Sequence, residues 1–281
     1  MRTICIANHK GGCGKTTTAI NLGACLAERG ARVVLIDLDP QGHATVGLNM
    51  SPAALGTTIW DAFTRPVSPS DILKPILPGL DLVPSGLSSG EEEGGPDPKM
   101  RKQSLERFLK ELERERPETD FVLMDCPPSI GPLTHSILWT AREALLTVEA
   151  SFFALHGVGR ILSEIRSIDP AKSTPTRVRV LATLYDRRTR FAKEILKDIN
   201  AFFGDALYDT VIRHSVRLRE ATSHGVPITV YGRRTSGYRD YMDLAIEVAE
   251  DVEVESVANR KEERSHLSGS AHVVGAAGRR R

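Results

Sequence analysis

Short, continuously apolar runs alternate along the chain with longer stretches whose apolar residues recur at helical spacing. "TICIAN" (3–8), "RVVLIDL" (32–38), "LDLVPS" (80–85), "DFVLMDC" (120–126), "EALLTVEA" (143–150) and "RVRVLATL" (177–184) read as strands. Most are apolar at consecutive positions, the pattern of strands covered on both faces of a sheet. Between them, "GKTTTAINLGACLAERG" (14–30), "SLERFLKELERER" (104–116), "GVGRILSEIRSI" (157–168) and "RFAKEILKDINAFFG" (190–204) carry the helical period. Gly30 stands where a helix stops. This alternation predicts an α/β fold, a doubly wound and mostly parallel sheet with right-handed crossovers.

Two stretches break the pattern. "SGLSSGEEEGGPDPKM" (85–100) is rich in Gly, Ser, Pro and acid and reads as a flexible surface insertion. Beyond residue 252 the periodicity is lost, so one domain over 1–252 and a disordered tail over 253–281 are expected. At 281 residues and 41% apolar composition the chain can bury a full core. Its four cysteines form no C-x-x-C pair, which suits a reduced cytosol better than a disulfide or metal framework. No apolar run approaches the roughly 18 residues of a membrane span, and the start has no signal-peptide pattern. The expectation is a soluble, cytoplasmic protein.

Candidate chemistry begins at "KGGCGKTTT" (10–18), directly after the first strand. A strand, a glycine turn and a helix opening at Lys15 make the context a phosphate-binding loop requires. Gly11, Gly12 and Gly14, with Cys13 among them, let backbone N–H groups approach phosphate oxygens, and the helix N-terminus adds partial positive charge. Lys15 then reaches the β- and γ-phosphates, the Thr16 hydroxyl binds Mg²⁺, and Thr17 reaches the α-phosphate. The carboxylates such a site needs stand at strand ends. Asp125 has the Walker-B position and is assigned to a Mg²⁺-bound water. Asp39, opening a Pro-Gln-Gly turn, is assigned to polarising the attacking water. Asp37 is open between metal ligand and structural support at the strand end.

"KGGCGKTTTAINLGACLAERG", "VVLIDLDPQGHATVGL" and "DFVLMDCPPSIGPLT" together resemble the deviant Walker-A P-loop ATPases of the ParA/MinD group. "LYDRRTRFAKEILKDINAFFGDALYDTVIRHSVRLREATSHGVPI" is similar to its ParA branch, the DNA-partitioning ATPases. The resemblance implies ATP and Mg²⁺ as ligands and a homodimer formed with ATP. It also implies that Lys10, the signature lysine, crosses the dimer interface to the neighbour's phosphates. It places nucleotide-sensing switches at Pro40–Thr45 and Cys126–Ile130. His43 and His135 stand where many relatives carry asparagine. Ser215 replaces the asparagine of "RNVRL" and leaves the adenine contacts open.

Charge distribution adds a further expectation. Residues 172–219 hold eleven Lys/Arg against five acids, in a chain whose net charge is +1. Such charge without interleaved aromatics suits phosphate contacts more than base reading. Relatives bind DNA non-specifically through arginines here, which points to Arg187, Arg188, Arg190, Arg217 and Arg219 on double-stranded DNA. The resemblance further implies nucleoid association and a ParB-like partner that stimulates hydrolysis. Positioning of a protein cargo, such as a microcompartment or chemoreceptor cluster, is an alternative from the same cycle. MinD-like membrane association needs a basic, apolar amphipathic helix near the C-terminus, and "YMDLAIEVAEDVEVESVANRKEERS" is too acidic, so no membrane is expected. A cluster-bridging redox role fails because Cys13 and Cys126 are committed to nucleotide geometry.

Overall fold

The computed structural model describes residues 1–86, 98–151 and 154–251. Most of the expected insertion, 87–97, and the expected tail, 253–281, lie outside them. The strands are β1 (Arg2–Ala7), β2 (Val33–Asp37), β3 (Lys74–Leu77), β4 (Leu80–Val83), β5 (Phe121–Asp125), β6 (Glu143–Glu149), β7 (Arg177–Tyr185) and β8 (Leu207–Arg213). They form one sheet in the order β3-β4-β2-β5-β1-β6-β7-β8, parallel except where β3 pairs antiparallel with β4. The carboxyl ends of β1, β2 and β5 meet along one edge, with Ile6 opposite Asp125 and Asp37 opposite Asp125 in register.

Both faces of the sheet are covered. On one face, Ile6, Leu35 and Leu123 pack with Ile20, Leu22 and Leu26 of the first helix, α1 (Lys15–Glu28), and with Tyr241 and Leu244. On the other, Cys5, Ile36 and Met124 pack with Leu105, Phe108, Leu112, Ile137 and Ile161. Double burial is the physical reason for the unbroken apolar runs. All six expected strands and all four expected helices are present, the helices as Lys15–Glu28, Pro98–Glu115, Ala154–Ile168 and Arg190–Phe203. The two further strands lie at the sheet's edges. β3 ("KPIL") is short and carries a proline, and β8 ("LYDTVIR") buries Tyr208 and Ile212 while exposing Asp209, so neither shows a continuous apolar run.

The helix Ser236–Glu250 covers part of the stretch weighed above for a membrane anchor. Its Tyr241, Leu244, Ala245 and Val248 are buried in the core beside α1, so that apolar face is already occupied. Among the described residues, no helix is long and apolar enough to cross a membrane.

The amino edge of the sheet carries a buried ionic knot. Arg177 lies 2.6 Å from Asp251 and 3.4 Å from Glu143, Arg179 lies 3.1 Å from Asp251, and the Tyr208 hydroxyl donates to Asp251 over 3.0 Å. Arg2 donates to Glu143 over 2.8 Å. Removing one partner of such a pair strands its partners' charge in a poorly solvated place. Asp251→Ala is therefore expected to lower stability by about 3 kcal/mol. That corresponds to roughly 6–12 °C in melting temperature at this size. A thermal melt of the two proteins checks it.

Candidate nucleotide site

The loop after β1 is held by residues of β6 and β7. Asn8 donates through Nδ2 to the Thr147 carbonyl (2.5 Å) and accepts the Lys10 N–H on Oδ1 (3.0 Å). The Thr183 hydroxyl donates to the Cys13 carbonyl (2.8 Å), and the Cys13 thiol donates to the Lys10 carbonyl (3.1 Å). Gly12 and Gly14 take φ of +74° and +89°, values that disfavour any side chain. The loop then enters α1 without a side-chain cap and without an acid in the first turn. Its first N–H groups therefore lack a side-chain acceptor, and the helix dipole favours an anion there.

The two lysines occupy different sides of this loop. Lys15 is 7% exposed, and its ammonium donates back to the Lys10 carbonyl over 3.2 Å. Lys10 is exposed and pairs with Glu149 at the end of β6. Thr16 and Thr17 are half-buried in the first turn of α1. His9, where a phosphate loop usually opens with glycine, is held by Arg160 over 3.0 Å.

The three carboxylates differ in their surroundings. Asp37 is buried, and both of its oxygens are occupied. Oδ1 accepts the Asp39 N–H (3.2 Å), and Oδ2 accepts the Thr45 N–H (2.8 Å) and hydroxyl (2.7 Å). Burial still pushes it up to about 6, against the pull of those hydrogen bonds. Asp125 is fully buried, and neither oxygen has a donor in hydrogen-bonding geometry. Burial raises it well above the usual carboxylate range and the charge of Asp37 adds to this, while the nearby Thr16 hydroxyl and Lys15 partly oppose it. Asp39 is 4% exposed; its Oδ1 accepts the Gln41 N–H (2.9 Å) and its Oδ2 lies 3.4 Å from His43 Nδ1.

A cleft of about 590 Å³ opens onto Asp39, while the buried Asp37 and Asp125 do not line it. Gly12, Lys15, Thr16 and Asp39 line one end; Ile212, His214, Ser215 and Leu218 line the other. Thr183 and Leu184, also lining it, were not legible as site residues in the sequence. Their signal is conformational: Leu184 takes φ +53° at the end of β7, a value unusual for a side chain of its size.

The basic stretch 172–219 is not one surface. Lys172 donates to the carbonyls of Leu138 and Ala141, Arg177 and Arg179 belong to the knot at the opposite edge, and Arg213 pairs with Asp240. The charge count therefore overstates the exposed patch. Arg187, Arg188, Arg190, Arg217 and Arg219 are all exposed near the carboxyl edge. Arg188 lies 2.7 Å from Asp186, Arg217 lies 2.7 Å from Glu220, and Arg219 lies 3.2 Å from His214. Arg187 and Arg188 line a groove with His214 and Val216.

Comparison with known proteins follows the same lines. The family described as an AAA domain matches residues 1–177. The chromosome partitioning protein ParA of Caulobacter vibrioides is 39% identical over 252 residues, covering 88% of this chain and 94% of that protein. The sporulation initiation inhibitor protein Soj of Bacillus subtilis is 37% identical over 250 residues, covering 88% and 98%. The chain belongs to the ParA/Soj family of partitioning ATPases. Of solved structures, the ADP- and magnesium-bound cobyrinic acid a,c-diamide synthase of Mycobacterium smegmatis superposes with a TM-score of 0.73 at 28% identity, covering 89% and 94%. An ATP complex of McdA from Cyanothece superposes with a TM-score of 0.75 at 22% identity, covering 90% and 98%, a likeness of fold.

In this ParA/Soj chain the unpartnered Asp125 is a stability cost. Its folded form holds a proton that the unfolded chain releases, so the cost is absent in acid, where both forms are protonated, and grows as pH rises from the unfolded value towards the raised folded one. Asp125→Asn is expected to stabilise the nucleotide-free protein by about 1–3 kcal/mol near neutral pH. The gap between variant and parent should widen from acid to neutral pH. Urea melts at several pH values measure it.

Proposed function

We propose that this chain is a magnesium-dependent ATPase of chromosome or plasmid partition. It pairs with a second copy when ATP is bound, and the pair holds double-stranded DNA without sequence preference. A ParB-like partner stimulates hydrolysis, after which the pair separates. One domain over 1–252 carries all of these steps. The observation that carries this reading is the division of labour between two lysines on one loop. Lys15 lies inside the cleft of its own subunit, whereas Lys10 points outward to an exchangeable acid, Glu149.

The residues then act as follows. The N–H groups of Gly11 to Thr17 cradle the phosphates, with Lys15 at the β- and γ-phosphate end. Asp125, fully buried and without a donor, fits a cation, and with the Thr16 hydroxyl it would hold Mg²⁺. The ion would supply charge neutralisation to the phosphates when bound. Asp37 has both oxygens engaged by its own turn and does not line the cleft; it shapes the turn that carries Asp39. Asp39, with Oδ1 fixed by the Gln41 N–H, turns its second oxygen to the attacking water and accepts the developing proton. Lys10 exchanges Glu149 for the phosphates of the facing subunit. In a partly dry interface that cation offsets strong repulsion between two bound triphosphates. Pairing therefore depends on the γ-phosphate, and ATP works as a switch.

DNA affinity follows from pairing. If each subunit brings three phosphate contacts through Arg187, Arg188, Arg190, Arg217 or Arg219, the pair brings about six. The salt slopes are then about −2.7 for one subunit and about −5.4 for the pair. Between 50 and 200 mM salt the single subunit loses about 40-fold in affinity and the pair about 1,800-fold.

Asp39→Ala is expected to stay on DNA with ATP, because it pairs but does not hydrolyse. With ADP, both it and the parent should leave DNA. Filter binding across a salt series reads the affinity and slope. Equal DNA affinity in ATP analogue and ADP would end this reading.

A further inference from the structure

The segment that follows β4, Pro84 to Gly86, lies between the turn carrying Asp39 and the short helix Ile59–Thr64. Ser85 is fully buried there. Its hydroxyl donates to the Asp39 carbonyl over 2.8 Å and accepts the Trp60 indole N–H over 2.8 Å. Its N–H donates to the Thr45 hydroxyl over 2.9 Å, and that hydroxyl donates to Asp37 Oδ2 over 2.7 Å. The carbonyl of Pro84 accepts the Ile59 N–H over 3.1 Å, which ties the segment to the helix carrying Trp60. Gly42 lies beside the Ser85 carbonyl, which a Cβ there would meet at an ordinary 3.5 Å, and its φ of +62° is what favours glycine. The turn is thus seated on Ser85 at both ends.

The chemistry of this contact is directional. An indole N–H can only donate, so the Ser85 oxygen must accept from Trp60. A serine hydroxyl has one proton, and with its acceptor side taken that proton goes to the Asp39 carbonyl. Asp39 is then held by its main chain on both sides: its N–H by Asp37 Oδ1 (3.2 Å) and its C=O by the Ser85 hydroxyl (2.8 Å) together with the Gly42 N–H of its own turn (2.8 Å). Its side chain is fixed at Oδ1 by the Gln41 N–H (2.9 Å). With the main chain clamped, the direction of the carboxylate is set before any nucleotide arrives.

We infer that Ser85 is a positioning residue for hydrolysis: it fixes the main chain of Asp39, and Trp60 fixes the Ser85 hydroxyl. This rests on Asp39 being the residue that polarises water. Ser85 itself touches no reacting atom, so its removal should act on turnover and spare nucleotide binding and pairing. Misplacement of a catalytic group by about 1 Å costs on the order of 100-fold in rate.

The experiment is single-turnover ATP hydrolysis by the full chain, with nucleotide affinity and sedimentation measured beside it. Ser85→Ala is expected to slow turnover by about 10-fold or more, with ATP affinity within about twofold and ATP-dependent pairing retained. Ser85→Thr, which keeps the hydroxyl, should restore most of the rate. Trp60→Phe leaves the hydroxyl in place but frees its rotor, and should give a smaller fall in the same direction; it also serves if Ser85→Ala does not fold. In the Asp39→Ala background, Ser85→Ala should cost nothing further. A parental rate in both Ser85→Ala and Trp60→Phe, or a full additional loss in the double variant, overturns the inference. Should Asp39→Ala hydrolyse like the parent, the reading of Asp39 has failed instead.

Discussion

Everything at the carboxyl edge of this sheet depends on charge that is buried before it is balanced. Asp37 and Asp125 stand opposite each other on neighbouring strands, and both are buried. Asp37 is answered by donors from its own turn; Asp125 has none. Around them the first N–H groups of α1 lack a side-chain acceptor, and Lys15 folds onto a backbone carbonyl. A carboxylate seeking a cation and a loop seeking an anion lie side by side. A magnesium nucleotide complements both, and a ligand that binds only the folded form adds to its stability.

That arrangement follows from topology. Parallel strands bring their carboxyl ends to one edge, and the chain must leave the sheet there through short turns. The turn after β1 becomes the phosphate loop, that after β2 carries Asp39, and that after β5 begins at Cys126. The end of β7 and the turn after β8 close the far side of the same cleft through Leu184 and Ser215, and the segments that follow these strands expose the candidate DNA arginines. The candidate nucleotide cleft and these arginines therefore share one edge of the molecule, while the ionic knot of Arg177, Arg179 and Asp251 secures the other.

Much of this was legible in the sequence, for physical reasons. Six strands announced themselves because burial on both faces demands apolar residues at every position. β3 and β8 did not, since an edge strand need be apolar on one face only. The phosphate loop was legible because its glycines serve backbone conformations that few other residues reach. The pairing of Lys10 with Glu149 was not, since it joins residues far apart in the chain. Charge counting misled where it took Lys172, Arg177, Arg179 and Arg213 as surface, because a sum over residues carries no information on which ones meet an acid or a carbonyl. Sequence marked Asp125 by its Walker-B position and left Asp37 open between ligand and support. Their hydrogen-bond partners differ: Asp37 is met by its own turn, and Asp125 by no donor.

The central claim is that two lysines on one loop serve two nucleotides, one in each of two copies. Sedimentation velocity of the parent and of Lys10→Ala, with magnesium and a non-hydrolysable ATP analogue, tests it most directly. The account predicts a dimer for the parent and a monomer for the variant, which should still bind nucleotide through Lys15. A parent that stays monomeric at saturating nucleotide, or a variant that pairs as tightly as the parent, would contradict it.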